Sequence, residues 1–212
     1  MSTQDDPVIF SLAGPPGCGK GTLIDYVIRP YCEQNGRPLV VFPISSEIGM
    51  VLDQHPDKEY AHSISMQQKQ GYLVPDKIAN AALLRALEKY KANPLERAVF
   101  VVDGSPRTEE QTETTLITVP KELGISEERN IFVRFTTRPY LCGYRACKRS
   151  REDDSEGAFK VRWGEFETKT VAALKLITSN SKALGVVVKE IDGAAIRQSP
   201  QLFQRLIFSQ EH

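Results

Sequence analysis

The stretch Val8-Ile9-Phe10-Ser11-Leu12-Ala13-Gly14-Pro15-Pro16-Gly17-Cys18-Gly19-Lys20-Gly21-Thr22 decides how the rest of the chain is read. Val8 to Ala13 is a short apolar run of strand length, Gly14 to Gly19 is a glycine- and proline-rich turn, and a helical pattern follows over Leu23 to Ile28. Glycines let a backbone wrap closely around phosphate oxygens. The loop N–H groups and the helix N-terminus add oriented positive potential, and Lys20 adds a mobile cation. Strand, glycine loop with Lys, and helix together read as a phosphate-binding loop.

Outward from that loop, Leu39 to Phe42, Ala98 to Val102, Ile131 to Phe135 and Val186 to Ile191 repeat the apolar, β-branched pattern of Val8 to Ala13. Near-continuous hydrophobicity, rather than alternation, predicts five strands of a parallel sheet buried on both faces by helices, an α/β fold with right-handed crossovers. Between the strands, Ile78, Ala82, Leu83, Ala86, Leu87 and Tyr90 share one helical face after Pro75 and Asp76. Phe159, Trp163, Phe166 and Leu174 mark another helix, with aromatics read as packing, that ends near Ser179, Asn180 and Gly185. A last helix has Ser199 as N-cap, Pro200 at its first position, and Leu202, Phe203, Leu206 and Ile207 facing inward. Two polar segments, Ser46 to Gln70 and Arg145 to Gly157, stand out as candidate mobile inserts.

Composition narrows the function. The 212 residues carry 27 Lys plus Arg against 27 Asp plus Glu, so net charge is zero and binding of nucleic acid or an anionic membrane through overall charge is excluded. The polar, acidic start lacks the basic and apolar pattern of a secretory signal, and no apolar run approaches the ~20 residues of a spanning helix. A cytoplasmic protein is expected. Cys18, Cys32, Cys142 and Cys147 match neither a zinc knuckle nor a disulfide framework and read as free thiols. His55, His62 and His212 are scattered, leaving no His-metal or Ser-His-Asp constellation. Charge is instead uneven: residues 138–162 hold an excess of Lys and Arg, and residues 109–128 an excess of acids.

Several motifs in order carry a resemblance. Gly21 follows Lys20 where Ser or Thr is usual, and Thr22 comes one place later. This Gly-Lys-Gly-Thr form resembles the nucleoside monophosphate (NMP) kinases. Asp103-Gly104-Ser105-Pro106-Arg107-Thr108 resembles the adenylate kinase motif Asp-Gly-Phe-Pro-Arg-Thr, with Ser105 in place of Phe. Gly71-Tyr72-Leu73-Val74-Pro75-Asp76 is similar to that family's Gly-x-Leu-Val-Pro-Asp, and Arg151-Glu152-Asp153-Asp154 with the later Arg162 to its lid pattern. The likeness spans about residues 8 to 193. It implies a P-loop NTPase fold in one domain: a core over 1–43, 72–140 and 158–212, an NMP-binding insert at about 44–71, and a short lid at about 145–157.

The same resemblance implies Mg-ATP and a nucleoside monophosphate as partners, AMP giving two ADP being favoured, in a monomer. An NMP is already an anion near neutral pH, so transfer needs alignment and charge cancellation more than a general base. Lys20, Arg107, Arg149, Arg151 and Arg162 are the residues for that. Gly17, Cys18, Gly19, Lys20, Gly21 and Thr22 would cradle the ATP phosphates, with Arg149 from the lid and with Arg145 and Gly193 beside the ATP base. Ser45, Tyr72, Leu73, Val74, Gly104, Arg107, Gln111, Arg151 and Arg162 would take the NMP. Gln111 is expected to accept from and donate to an adenine edge at once, and Thr108, where the pyrimidine branch usually has Asn, points away from UMP and CMP. Asp103 would hold Mg²⁺ through water. Cys18, at a helix N-terminus, is a candidate thiol whose modification blocks ATP binding.

The chain departs from the pattern at the acceptor side. The family's Thr-Gly-Asp-x-x-Arg segment falls on Ser45-Ser46-Glu47-Ile48-Gly49-Met50, without the phosphate-gripping Arg, which neither Met50 nor Gly49 replaces. Lys58 or Lys69 is the candidate substitute, as a point charge. Pro30 and Gly36 are expected to interrupt the first helix region, and only Ser150 separates Arg149 from Arg151, an unusually tight lid. Two other readings follow from the missing Arg: a kinase for another (deoxy)nucleoside monophosphate or phosphorylated acceptor, and a nucleotide-binding module with weak catalysis.

Overall fold

The computed structural model describes residues 6–91, 95–148, 156–196 and 202–208. All five expected strands form, each within a residue or so of its expected ends: β1 Val8–Ala13, β2 Leu39–Val41, β3 Val99–Asp103, β4 Asn130–Phe135 and β5 Val187–Ile191. They make one parallel sheet in the order β2-β3-β1-β4-β5. Side chains alternate across β1, so Val8, Phe10 and Leu12 enter one apolar layer with Leu23, Ile28, Phe203 and Leu206. Ile9 enters the opposite layer with Leu83, Ala86, Leu87 and Val119. Burial on both faces is why the strands read as continuous apolar runs.

The central strand sets the site. Leu12 pairs with Asp103 and Ala13 with Arg134, so β1 and β3 end within a residue of each other, and Gly104 N–H donates to Leu12 O at 3.0 Å. The chain leaves β1 towards β2 and β3 on one side and later fills β4 and β5 on the other. The crevice outside the strand ends at such a switch point is where open α/β sheets take ligands.

Helix α1 is continuous from Lys20–Leu23 through a π-helical stretch, Ile24–Ile28, to Arg29–Gln34, so Pro30 does not interrupt it. The wider π turn comes immediately before the Arg29-Pro30 pair and absorbs the missing N–H and the ring's bulk. The same device recurs in α5, where Glu110–Glu113 leads through the π stretch Thr114–Thr118 into Val119–Glu122 with Pro120. Gly36, at φ 59°, is where α1 stops. Its N–H bonds Glu33 O at 3.4 Å and Arg37 N–H bonds Cys32 O at 2.9 Å, a paired closure of the last turn.

Residues of the polar segment fold as α2 (Ile44–Asp53) and α3 (Lys58–Lys69), the latter capped by Asp57, which accepts from Tyr60 N–H at 2.9 Å. Ile48, Leu52, Ala61 and Ile64 pack on Ile78 and Ala82 of α4 (Asp76–Lys91), a small core apart from the sheet. The expected α4 stripe is buried as read, shared between that core and the sheet layer. Glu47 of α2 is 1% exposed; Arg85 Nε donates to it at 3.0 Å, and Lys89 Nζ donates to its other oxygen.

After α5 come α6 (Pro139–Lys148), the long α7 (Glu156–Glu165, a π stretch Phe166–Thr170, and Val171–Ser179) and α8 (Leu202–Phe208). Phe159, Trp163 and Phe166 meet in series along α7 as tilted ring pairs, as expected of packing aromatics. Ser199 and Pro200 lie outside the described residues, while Phe203 of α8 stacks on Tyr31 with ring centres 3.8 Å apart. All four cysteines are free. Among the described residues no helix is long and apolar enough to cross a membrane.

Candidate active site

A cleft of about 590 Å³ opens at the carboxyl ends of β1 and β3, walled by the glycine loop, α2, the Gly71-to-Val74 segment and α7. Its first wall is the loop that opened the reading. Gly17 has φ 79°, and a Cβ there would lie 2.2 Å from Cys142 O, so only glycine lets the loop lie on α6. Gly19, at φ 111°, starts α1 from a left-handed conformation. A Cβ on Gly21 would meet nothing within 4 Å, so the residue in place of the usual Ser or Thr faces open space. Lys20 Nζ is 3.3 Å from Gly14 O and 3.5 Å from Pro15 O, which holds the ammonium over the loop. Cys18 is fully buried, and Lys20 Nζ donates to its Sγ at 3.6 Å, so the candidate thiol at the helix N-terminus sits within the loop rather than on its surface.

Behind the loop sits a contact that sequence reasoning did not find. Thr137 Oγ1 donates to Cys18 O at 2.8 Å and accepts from Gly193 N–H at 3.1 Å. Arg145 joins the same knot, donating to Cys18 O at 3.4 Å and Gly193 O at 3.2 Å. Arg145 and Gly193 thus brace the phosphate loop from behind.

The second wall is the β3 terminus. Asp103 Oδ1 is buried without a hydrogen-bond partner among the described residues. Arg107 Nε donates to Gly104 O at 2.6 Å, and a Cβ on Gly104, at φ 81°, would lie 2.7 Å from the guanidinium. Arg107 is reached by solvent through the cleft, yet protein surrounds its head group on the other sides. That desolvation lowers its pKa, Asp103 opposes the shift, and the neighbouring Arg162 charge reinforces it; the guanidinium remains protonated.

Gln111 is buried at 3% exposure, its amide bonded to Arg107 N–H and Asp76. Opposite, Gly71 (φ 100°) lies so close to α7 that a Cβ would be 2.5 Å from Ala158 O, and Leu73 N–H donates to Glu165 at 3.2 Å. These contacts hold Tyr72, Leu73 and Val74 against the cleft beside Arg162.

The structure therefore gathers Gly17 to Thr22, Ser45, Tyr72 to Val74, Asp103, Gly104, Arg107, Gln111 and Arg162 around one cavity. Arg149 and Arg151 lie outside the described residues. The missing arginine is not replaced from α2 or α3: Ile44, Ser45 and Ile48 face the cavity, Met50 Sδ instead meets Arg85 at 3.7 Å, and Lys58 Nζ bonds Asp53 O. Neither Lys58 nor Lys69 lines the cavity.

A parallel sheet of this order with a Gly-Lys loop between β1 and α1 is the P-loop NTPase fold. No protein-family model matches the chain. Among curated proteins it is similar to the adenylate kinase of Malacoplasma penetrans, 26% identical over 187 residues that cover 82% of this chain and 80% of that protein. It is similar to the UMP-CMP kinase of Homo sapiens at 23% identity over 192 residues, 89% and 90% of the two chains. The UMP-CMP kinase of Gallus gallus is 23% identical over 207 residues, 95% of each. The chain is adenylate kinase-like, with likeness to adenylate and UMP-CMP kinases alike.

Proposed function

We propose that the chain transfers the γ-phosphoryl group of Mg-ATP reversibly to a nucleoside monophosphate, with AMP the favoured acceptor. The observation that carries this reading is the single cavity in which the phosphate loop and Lys20 face Arg107 and Arg162. Cations on both sides of one cavity suit a donor and an acceptor phosphate brought into line, where positioning and charge cancellation do most of the work. Lys20 and the loop N–H groups hold the donor phosphates, while Arg107 and Arg162 draw the acceptor phosphate towards them. Arg149 and Arg151 would add charge from the lid at about 145–157, and α2 with α3 form the acceptor-binding insert at about 44–71.

The orphaned, buried Asp103 Oδ1, on a residue that lines the same cavity as Lys20, suits a water-bridged Mg²⁺ arriving with the nucleotide. That ion would supply neutralisation of phosphate charge. Arg107 needs no proton transfer, because the acceptor oxygen is already anionic.

A panel of monophosphates with Mg-ATP, followed as diphosphate formation, tests the reading. AMP giving ADP with the highest kcat/KM is the expected result. UMP or CMP clearly ahead of AMP would move the acceptor to a pyrimidine. No turnover with any of them leaves the nucleotide-binding module, and Lys20→Ala turning over undiminished sinks the kinase reading. The absence of any arginine from α2 is the observation that favours the second reading, a phosphorylated acceptor other than AMP.

A further inference from the structure

Thr137 stands two residues past the end of β4, on backbone that the sheet holds: Thr136 N–H donates to Ile191 O at 2.9 Å, which continues the β4–β5 pairing. The residue is buried, at 7% exposure, and the two bonds of its hydroxyl can run in only one direction. Gly193 N–H can only donate, so Oγ1 accepts from it at 3.1 Å. The hydroxyl proton then goes to Cys18 O, a carbonyl that can only accept, at 2.8 Å. Arg145 Nη1 reaches the same carbonyl from farther away, at 3.4 Å.

That carbonyl matters because of what shares its peptide plane. In a planar trans peptide, Cys18 O and Gly19 N–H point in opposite directions. Thr137, Arg145 and Gly193 lie behind the loop and are not among the residues that line the cavity, whereas Gly19 is. Drawing Cys18 O back towards Thr137 therefore turns Gly19 N–H forward, and among the described residues that N–H enters no backbone bond. Glycine leaves the opposite orientation open. Gly19 has φ 111°, and turning the peptide unit over would carry φ to about −70°, which glycine adopts as readily. The turned unit would face the cavity with a carbonyl oxygen in place of an amide.

We infer that Thr137 is a positioning residue for the donor site: its hydroxyl, itself set by Gly193 N–H, holds the Cys18–Gly19 peptide so that Gly19 N–H meets a phosphate oxygen. The orientation is fixed before the ligand arrives, so the phosphate finds a donor and not a carbonyl lone pair. The inference rests on the reading of this loop as the donor's phosphate site, and it is independent of which monophosphate is the acceptor.

The test is calorimetric binding of inorganic tripolyphosphate and of ATP to the full chain, with the Gly19 amide followed by NMR of isotope-labelled protein. In the parent, tripolyphosphate should move the Gly19 amide proton downfield, as hydrogen bonding to an anion does. Thr137→Val removes the hydroxyl at nearly constant shape. Both affinities should then fall by about tenfold or more, the loss of one hydrogen bond to a charged group, and the Gly19 shift should vanish. Thr137→Ser keeps the hydroxyl and should return both affinities to within about threefold of the parent, together with the shift, a rescue that a purely steric role would not give. Thermal melting checks that each variant folds, and the parent's amide response needs no variant. The inference is overturned by a parent Gly19 amide that does not respond to bound tripolyphosphate, by a Thr137→Val protein that binds it within about twofold of the parent, or by a Thr137→Ser protein no better than Thr137→Val. A parent that binds neither ligand overturns the donor-site reading itself, and the inference with it.

Discussion

Gly193→Ala is the substitution that most directly probes how the phosphate loop is braced. A Cβ at this position would lie 1.8 Å from Cys18 O and 2.5 Å from Thr137 Oγ1, where ordinary contacts begin at 3.4 Å. The turn after β5 and the loop must therefore part by roughly 1.5 Å, and Cys18 O is backbone that no rotamer change moves aside. Parting them strains or breaks the bonds of Thr137 to Cys18 and Gly193 and of Arg145 to the same two residues. Overpacking costs about 1–3 kcal/mol and each lost hydrogen bond about 0.5–1.5 kcal/mol, so a loss of about 3–4 kcal/mol is expected after partial relaxation. For a chain of this size that lowers Tm by roughly 6–16 °C.

Loop displacement should also weaken ATP binding by about tenfold or more, since the N–H groups no longer converge on the phosphates. Thermal melting and calorimetric ATP titration measure the two effects. Gly21→Ala is the control: its Cβ meets open space, so Tm should stay within about 2 °C even if nucleotide affinity changes. A Gly193→Ala protein that melts with the parent and binds ATP equally well refutes the bracing argument.

Other outcomes follow from the same geometry. Lys20→Ala should lower kcat by about 100-fold or more with little change in Tm, read by diphosphate formation against a melting curve. Arg107→Ala should raise KM for the monophosphate by tenfold or more and leave ATP affinity within about threefold, which separate titrations of the two nucleotides resolve.

Glu47→Gln should destabilise the fold by about 2 kcal/mol, because two basic side chains lose the buried carboxylate they bond; denaturant unfolding checks it. The Lys89 hydrogen bond, offset in part by desolvation and helped by the Lys89 and Arg85 charges, holds the Glu47 pKa below its ordinary value. A depressed carboxylate stabilises the fold above its unfolded pKa of about 4.3 and ceases to as pH falls through the folded value. The gap between parent and Glu47→Gln should accordingly be full at pH 7 and shrink below about pH 4. Reagents for thiols should label Cys147 well before Cys18 in the folded protein, since Cys147 is exposed and Cys18 is buried.

What was legible in the sequence was what is local or periodic. The strand-loop-helix at Val8 to Ile28 needs no distant partner, and the five strands announce themselves by burial on both faces. Pro30 misled because a proline in a helical pattern normally costs a bond, and the π turn that compensates has no composition of its own. Thr137 was invisible because its role depends on β4, the phosphate loop and the turn after β5 meeting, over 119 and 56 residues of separation. Gln111 was recognisable from its motif, but how its amide is held is set by Asp76, 35 residues away. Glu47 looked like a mismatch in a motif; its partners lie 38 and 42 residues on, in α4.

The absent arginine of α2 bears on how the acceptor side works. The Arg162 charge raises the cost of the charge on Arg107, and Asp103 offsets it. A cavity that holds two like charges near each other is under electrostatic tension that an incoming anion relieves. A third guanidinium on α2 would add attraction but also repulsion, and would have to be desolvated as α2 packs on α4. Here that helix instead uses Glu47 to bind Arg85 and Lys89 of α4, which turns cations away from the cavity and fixes the wall that carries Ser45 and Ile48. Under the proposed function, acceptor affinity draws on the Arg107–Arg162 pair among the described residues, so charge removal at either should cost more than in a site where an α2 arginine also shares the phosphate.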